Sequence, residues 1–363
     1  MHTRKKAVLT GIAALLILAV LLLLLQELFR PKYGYGNIPE GTLIADYYDE
    51  AGEAGGHDVI FIGDCEVYEN FSPITLWEEY GITSYIRGSA QQLIWQSYYL
   101  LEDTLRYEKP DVVVFNVLSM QYGTPQSEAY NRLNLDGMRL SVSKIKAVLA
   151  SMTEEESLVS YLFPLLRYHD RWSELTVRDF TGMFETQSLS HNGFLMRADV
   201  KAAENVPTGR PLPSYAFADT CWEYLEAMRA LCEREGVELI LIKAPSLYPY
   251  WYEQWDEQIQ AYAEEKGLRY LNFLEMTDTI GIDFSTDTYD GGLHLNLSGA
   301  EKLSDWFGAY LAEELGLSDR RGESDTAAVW AEKGRAGARP PRAGRRGPAG
   351  GGGGAGGGGG GAG

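Results

Sequence analysis

Two short segments hold the residue types of an acyl-transfer site. The first, Phe61-Ile62-Gly63-Asp64-Cys65-Glu66, continues an apolar run at 58–62. The second, Asp290-Gly291-Gly292-Leu293-His294-Leu295-Asn296, stands just ahead of the last amphipathic segment. A thiol at a strand end, an imidazole and a nearby carboxylate can serve as nucleophile, base and the group that orients the base. A cysteine reacts as its thiolate, which a neighbouring imidazolium favours. The carboxylates of Asp64 and Glu66 flank the thiol and favour its neutral form. Taken singly, Gly-Asp-Cys reads as a buried inert cysteine, and Asp-x-x-x-His reads as a turn. Their placement at the two ends of one alternating pattern is what points to chemistry.

That pattern is read from periodicity and punctuation. A strand over 58–62 is followed by a short helix with Ser72 as N-cap, Pro73 as its first residue and Gly81 as its stop. A strand over 83–86 leads to the turn Arg87-Gly88-Ser89, then a helix over 91–106, then an apolar strand over 111–117. The alternation resumes with a helix over 219–235, a strand over 237–242, a helix over 253–266 and a strand over 269–273. Gly236 and Gly267 close the two helices. Ser298 and Glu301 form a capping box for the last helix, which Gly316 ends. Strands alternating with helices imply a parallel sheet covered on both faces. Residues 121–215 break the alternation and read as a helical insertion over the sheet's carboxyl edge, where open α/β sheets bind ligands. A purely structural cap fits the same signals.

The order of these motifs resembles the SGNH/GDSL superfamily of acyl-ester hydrolases and acyltransferases over about residues 57–318. It is most similar to the membrane-anchored branch that modifies envelope polymers, including the DltD and alginate-acetylation proteins. The resemblance implies an α/β fold, a flavodoxin-like three-layer sandwich with a parallel sheet. It implies Cys65 as nucleophile, His294 as base and Asp290 as its orienting partner. Cys65 and Gly88 would supply oxyanion-hole N–H groups, and Asn116 would occupy the place of the third donor. That donor normally lies in a Gly-x-Asn-Asp turn; here Phe115-Asn116-Val117-Leu118-Ser119 stands instead, with Ser119 or Gln121 as alternatives. The family ordinarily uses serine, and its Asp-to-His spacing is one residue shorter, a difference that Gly291 and Gly292 can absorb. The function implied is hydrolysis or transfer of an acyl ester on cell-envelope polysaccharide or a related polymer, with no cofactor. A non-catalytic scaffold of the same fold, binding a glycan or an envelope-assembly partner, is the rival reading.

The ends of the chain bound where such chemistry takes place. Residues 7–25 carry no charge and follow Arg4, Lys5 and Lys6. About 20 apolar residues span a bilayer, and the basic flank keeps that end cytoplasmic. Residues 1–30 therefore read as a single-pass anchor, 31–56 as a stalk, and the domain as extracytoplasmic. No small-residue cleavage site follows the apolar run. Residues 319–363 read as a disordered, low-complexity tail. The formal charge of −19 excludes a basic nucleic-acid footprint. Of the three cysteines, Cys221 and Cys232 fall on one helix about 16 Å apart, too far for a disulfide, and Cys65 stands alone in a loop. His57 and His169 have no second ligand at metal spacing, so no metal is expected. No glycine-rich phosphate loop follows a strand. Lys243, Tyr248 and Trp251 follow a strand at the ligand edge and are candidates for binding a sugar, although ordinary aromatic packing fits them as well.

Overall fold

The strands are β1 (Val59–Gly63), β2 (Ser84–Gly88), β3 (Val112–Asn116), β4 (Glu238–Lys243) and β5 (Arg269–Asn272), of which β1, β3 and β4 are built on runs of Val, Ile, Leu and Phe. The computed structural model describes residues 2–31, 41–51, 56–184 and 191–337. The strands make one sheet in the order β2-β1-β3-β4-β5, and every pair is parallel. Because side chains alternate across a strand, each strand feeds two cores. Ile60, Ile62, Val113, Phe115, Leu239 and Leu241 face the helices Ile94–Thr104, Asp219–Glu235 and Glu253–Lys266. Val59, Phe61, Val112, Val114, Ile240 and Ile242 face Pro73–Tyr80 and the last helix, Leu297–Glu314. Helices thus cover both faces of the sheet. The chain runs from β1 outward to β2, then returns to the other side of β1 for β3. That reversal makes the carboxyl ends of β1 and β3, at Gly63 and Asn116, the topological switch point of the sheet, where open α/β sheets bind ligands.

Local signals set most boundaries. Ser72 caps Pro73–Tyr80 by accepting from Thr75 N at 3.3 Å, and Gly81 ends it in the left-handed region. The last helix departs from expectation. Its cap is Asn296, whose side chain accepts from Gly299 N, while Ser298 Oγ donates to Asp287 at 2.9 Å. Cys221 and Cys232 are buried and unpaired.

The insertion divides its work. Helix Val142–Ser151 packs on Ile94–Thr104, and Glu128–Leu135 and Leu158–Leu162 pack on Val142–Ser151 in turn. They enclose a third core containing Ile44, Leu100, Leu135, Ala147, Val148 and Tyr161. Only the later part crosses the carboxyl edge. Leu195 N donates to Tyr68 O at 2.8 Å and Lys201 N to Thr288 O at 2.9 Å, which lays this stretch over the two motif segments.

Two expectations about the flanks are corrected. Within the stalk, helices Thr42–Ala45 and Tyr47–Glu50 bury Leu43, Ile44, Tyr47 and Tyr48. The buried Arg87 guanidinium lies 3.9 Å from the Tyr47 ring centroid, so this segment docks by a desolvated cation–π contact. The remaining stalk residues, 32–40 and 52–55, lie outside the described residues. In the tail, Arg320 pairs with Asp58 at 3.2 Å and a helix spans Ser324–Gly337. Trp330 stacks on Trp77 at 5.4 Å and is 3% exposed. Composition alone missed this because the partner of Trp330 lies on a helix far away in sequence. Residues 338–363 lie outside the described residues. Ending the chain at residue 323 rather than 337 is expected to cost about 2 kcal/mol from the lost Trp burial. The melting temperature would fall by roughly 4–8 °C; equal melting of the two truncations by calorimetry would contradict the docking.

Among the described residues one helix, Lys5–Phe29, is long and apolar enough to cross a membrane. Its leucines are exposed along most of their length.

Candidate active site

β1 ends at Gly63 against Gly88 of β2. The chain turns directly into the helix Cys65–Asn70, with Asp64 as N-cap accepting from Glu66 N at 3.0 Å. Cys65 is therefore the first residue of a helix and not a loop residue. The turn needs glycine at position 88, since a Cβ there would come within 2.7 Å of Val67 and 3.1 Å of Asp64 O. Gly88 thus lies against the backbone that carries the thiol.

The histidine loop is built by its aspartate. Asp290 Oδ1 accepts from Leu293 N at 3.2 Å and His294 N at 3.0 Å. Asp290 Oδ2 faces His294 Nδ1 at 2.7 Å. The extra residue in the spacing is taken up by Gly291 and Gly292, with φ of 90° and 101°. A Cβ on Gly292 would also meet Leu247 at 2.8 Å, where Leu247 N donates to Gly292 O. Leu295 N donates to Asn70 Oδ1 at 2.8 Å, tying this loop to the cysteine helix.

That helix also carries a residue that sequence reasoning missed. Glu69 lies one helical turn after Cys65, on the same face, and its Oε2 is 3.4 Å from His294 Nδ1. Tyr289 donates to the same oxygen, and the Arg197 guanidinium sits over the Tyr289 ring at 5.5 Å. The i, i+4 spacing from Cys65 to Glu69 was visible in the sequence but meaningless until Cys65 was known to be helical.

The electrostatics follow from burial and from these carboxylates. Burial works against a charged His294, but its hydrogen bond to Asp290 and the negative charges of Glu69, Asp290 and Glu66 outweigh it and raise its pKa. Burial also opposes ionisation of Asp290, but hydrogen bonds from the His294 side chain and backbone hold its pKa below the usual value. Burial pushes the Cys65 thiol well up, and Asp64, Glu66 and Glu69 add to that push. Both shifts run the same way, favouring the protonated thiol and the protonated imidazole. His294 Nε2 is buried and makes no hydrogen bond among the described residues, Cys65 included.

Three expected site residues serve the structure instead. Asn116 donates to Asp64 Oδ1 at 3.0 Å and Glu66 Oε2 at 2.9 Å, and accepts from Ala244 N at 3.1 Å. Both of its amide hydrogens are used, which leaves none for an oxyanion. Lys243 is fully buried and donates to Glu66, Ala244 O and Ser246 Oγ, so it holds a buried ion pair and not a substrate. Trp251 donates to Asp256 and packs on Trp255 in the core. Its indole is committed before any sugar arrives. Tyr248 does border the site, donating to Asp290 O at 2.9 Å. The alternative donors Ser119 Oγ and Gln121 Nε2, just beyond β3, are buried without partners among the described residues.

Among the described residues no group of three His, Cys, Asp or Glu side chains is arranged to hold a metal ion. No family model matches this chain, nor does any curated protein.

Proposed function

We propose that the chain is a membrane-anchored, extracytoplasmic acyl-ester hydrolase or O-acyltransferase that works through Cys65, His294 and Asp290. The observation that carries the reading is the oriented imidazole. Asp290 holds Nδ1 and leaves Nε2 buried and unengaged, beside the helix that bears Cys65. The basic flank of the apolar helix supports the outward orientation, and the motif resemblance supports envelope polysaccharide or a related polymer as substrate.

Because the thiol rests neutral, the proton moves during attack rather than before it. From the neutral imidazole, formed once His294 has lost its Nε2 proton to solvent, Nε2 takes the thiol proton as Sγ bonds to the acyl carbon. The carbonyl becomes an oxyanion facing the N–H groups of Cys65 and Gly88, with Ser119 or Gln121 as the third donor. Collapse breaks the ester bond, and the leaving alcohol takes the proton from His294. Water or a sugar hydroxyl then attacks the thioester, with His294 again as base, and frees the thiol. Glu69 adds a second negative charge beside the imidazolium formed in each step.

A second reading has its own support. The crowd of carboxylates around Cys65 and the loss of Asn116 as a donor fit a non-catalytic scaffold that binds glycan or an assembly partner.

An activated aryl ester separates the two. Acylation should fall on Cys65 and require His294. Its rate should climb with pH beyond the ordinary histidine value of 6.5, since the imidazole must lose its proton through a raised pKa before it can act as base. Mass spectrometry showing no adduct on Cys65, in a protein that still binds envelope polymer, would favour the scaffold.

A further inference from the structure

The helices between residues 158 and 184 carry large apolar side chains that no core claims. Trp172 is 71% exposed, Val177 79% and Phe184 75%, and Phe163, Leu166 and Phe180 are exposed with them. Val177 and Phe180, spaced i, i+3, share one face of the helix Val177–Thr181, and Phe184 follows just past its end. Polar contacts occupy other positions of the same segment. Asp179 is largely buried and pairs with Arg171 at 3.5 Å.

The location of this face identifies its occupant. The apolar helix His2–Phe29 packs at its far end against Leu165–Tyr168, His169–Ser173 and Val177–Thr181. Leu28 is buried and Arg171 Nη1 donates to Phe29 O. At helical rise, residues 7–25 cover about 28 Å, the thickness of the hydrocarbon core. Phe29 therefore stands at headgroup level, and the helices touching it stand there too. Tryptophan and tyrosine favour that layer, and Trp172 and Tyr168 occupy it. The window 158–184 holds three arginines and three acidic residues, so it lacks the strong negative charge of the whole chain. Anionic headgroups would repel a surface as acidic as the rest.

We infer that the 158–184 face rests in the outer leaflet as a second membrane attachment, continuous with the spanning helix. It acts as an interfacial apolar surface that holds the domain against the bilayer at a point additional to the spanning helix. The inference does not depend on the acyl-transfer reading and stands if Cys65 is inert.

Two measurements on the full chain test it. In nanodiscs of phospholipid brominated along the acyl chains, tryptophan fluorescence should be quenched, and Trp172→Phe should remove a distinct part of that quenching. In liposomes, cutting the chain between residues 31 and 41 should leave the wild-type domain attached. The triple variant Val177→Ser, Phe180→Ser, Phe184→Ser should be released to a roughly ten-fold greater extent, with an unchanged melting temperature because all three side chains are exposed. Quenching that does not depend on Trp172 overturns the inference, as does retention of the triple variant at the wild-type level. In either case the face is left to a protein partner.

Discussion

Cys65→Ala should abolish turnover of a small activated ester, while Cys65→Ser keeps a measurable share. The His294–Asp290 pair can activate a hydroxyl as well as a thiol, and serine places its oxygen where the sulfur stood. His294→Ala should lose roughly two to four orders of magnitude in kcat/KM, the usual scale for a general base. Asp290→Asn should cost activity more than local order, because an amide oxygen can still accept from the two backbone N–H groups while its NH2 cannot accept from the ring. Glu69→Gln should act differently. It removes a charge that raises the His294 pKa, so the pH–rate profile should shift toward acid while the maximal rate falls less. Steady-state kinetics across pH on the five variants would check these effects. Equal turnover by wild type and Cys65→Ala would end the enzyme reading.

The second large effect is on stability. Lys243 and Glu66 are both fully buried and 3.0 Å apart. Lys243→Met leaves the Glu66 carboxylate in the interior without its countercharge, a loss of about 3–5 kcal/mol. At roughly 2–4 °C per kcal/mol for a domain of this size, the melting temperature should fall by on the order of ten degrees. Adding Glu66→Gln to Lys243→Met should recover much of that loss, since the stranded charge is gone. A lysine that bound substrate would behave in the opposite way, with raised KM and unaltered melting. Thermal scans of the single and double variants distinguish the two.

The same ion pair shows where sequence reading stopped. Lys243 stands at a strand end beside an aromatic-rich run, and from residue types alone it reads as an edge residue reaching for a ligand. Its partner, Glu66, lies far away in sequence, across the sheet from β4. Asn116 was misread for the same reason. A strand-end amide can face a ligand or brace a neighbouring turn, and only the packing of β3 between β1 and β4 assigned it to Asp64, Glu66 and Ala244.

Much of the fold was decided locally and could therefore be read. The β-branched strands, the Ser72 cap, the helix-ending glycines at 81, 236 and 267 and the uncharged 7–25 run act through neighbours within a turn or two. The pairing of Asp290 with His294 was legible too, because four residues and two glycines suffice to close it. What needed the tertiary structure was every outcome set by distant partners. These are the strand order, the arrival of Glu69 beside His294, the docking of Trp330 on Trp77 and the withdrawal of Trp251 into the core. Cap choice marks the boundary between the two. Asn296 and Ser298 are equally good caps by type, and it is Asp287, eleven residues before Ser298, that takes the serine hydroxyl and leaves the cap to Asn296.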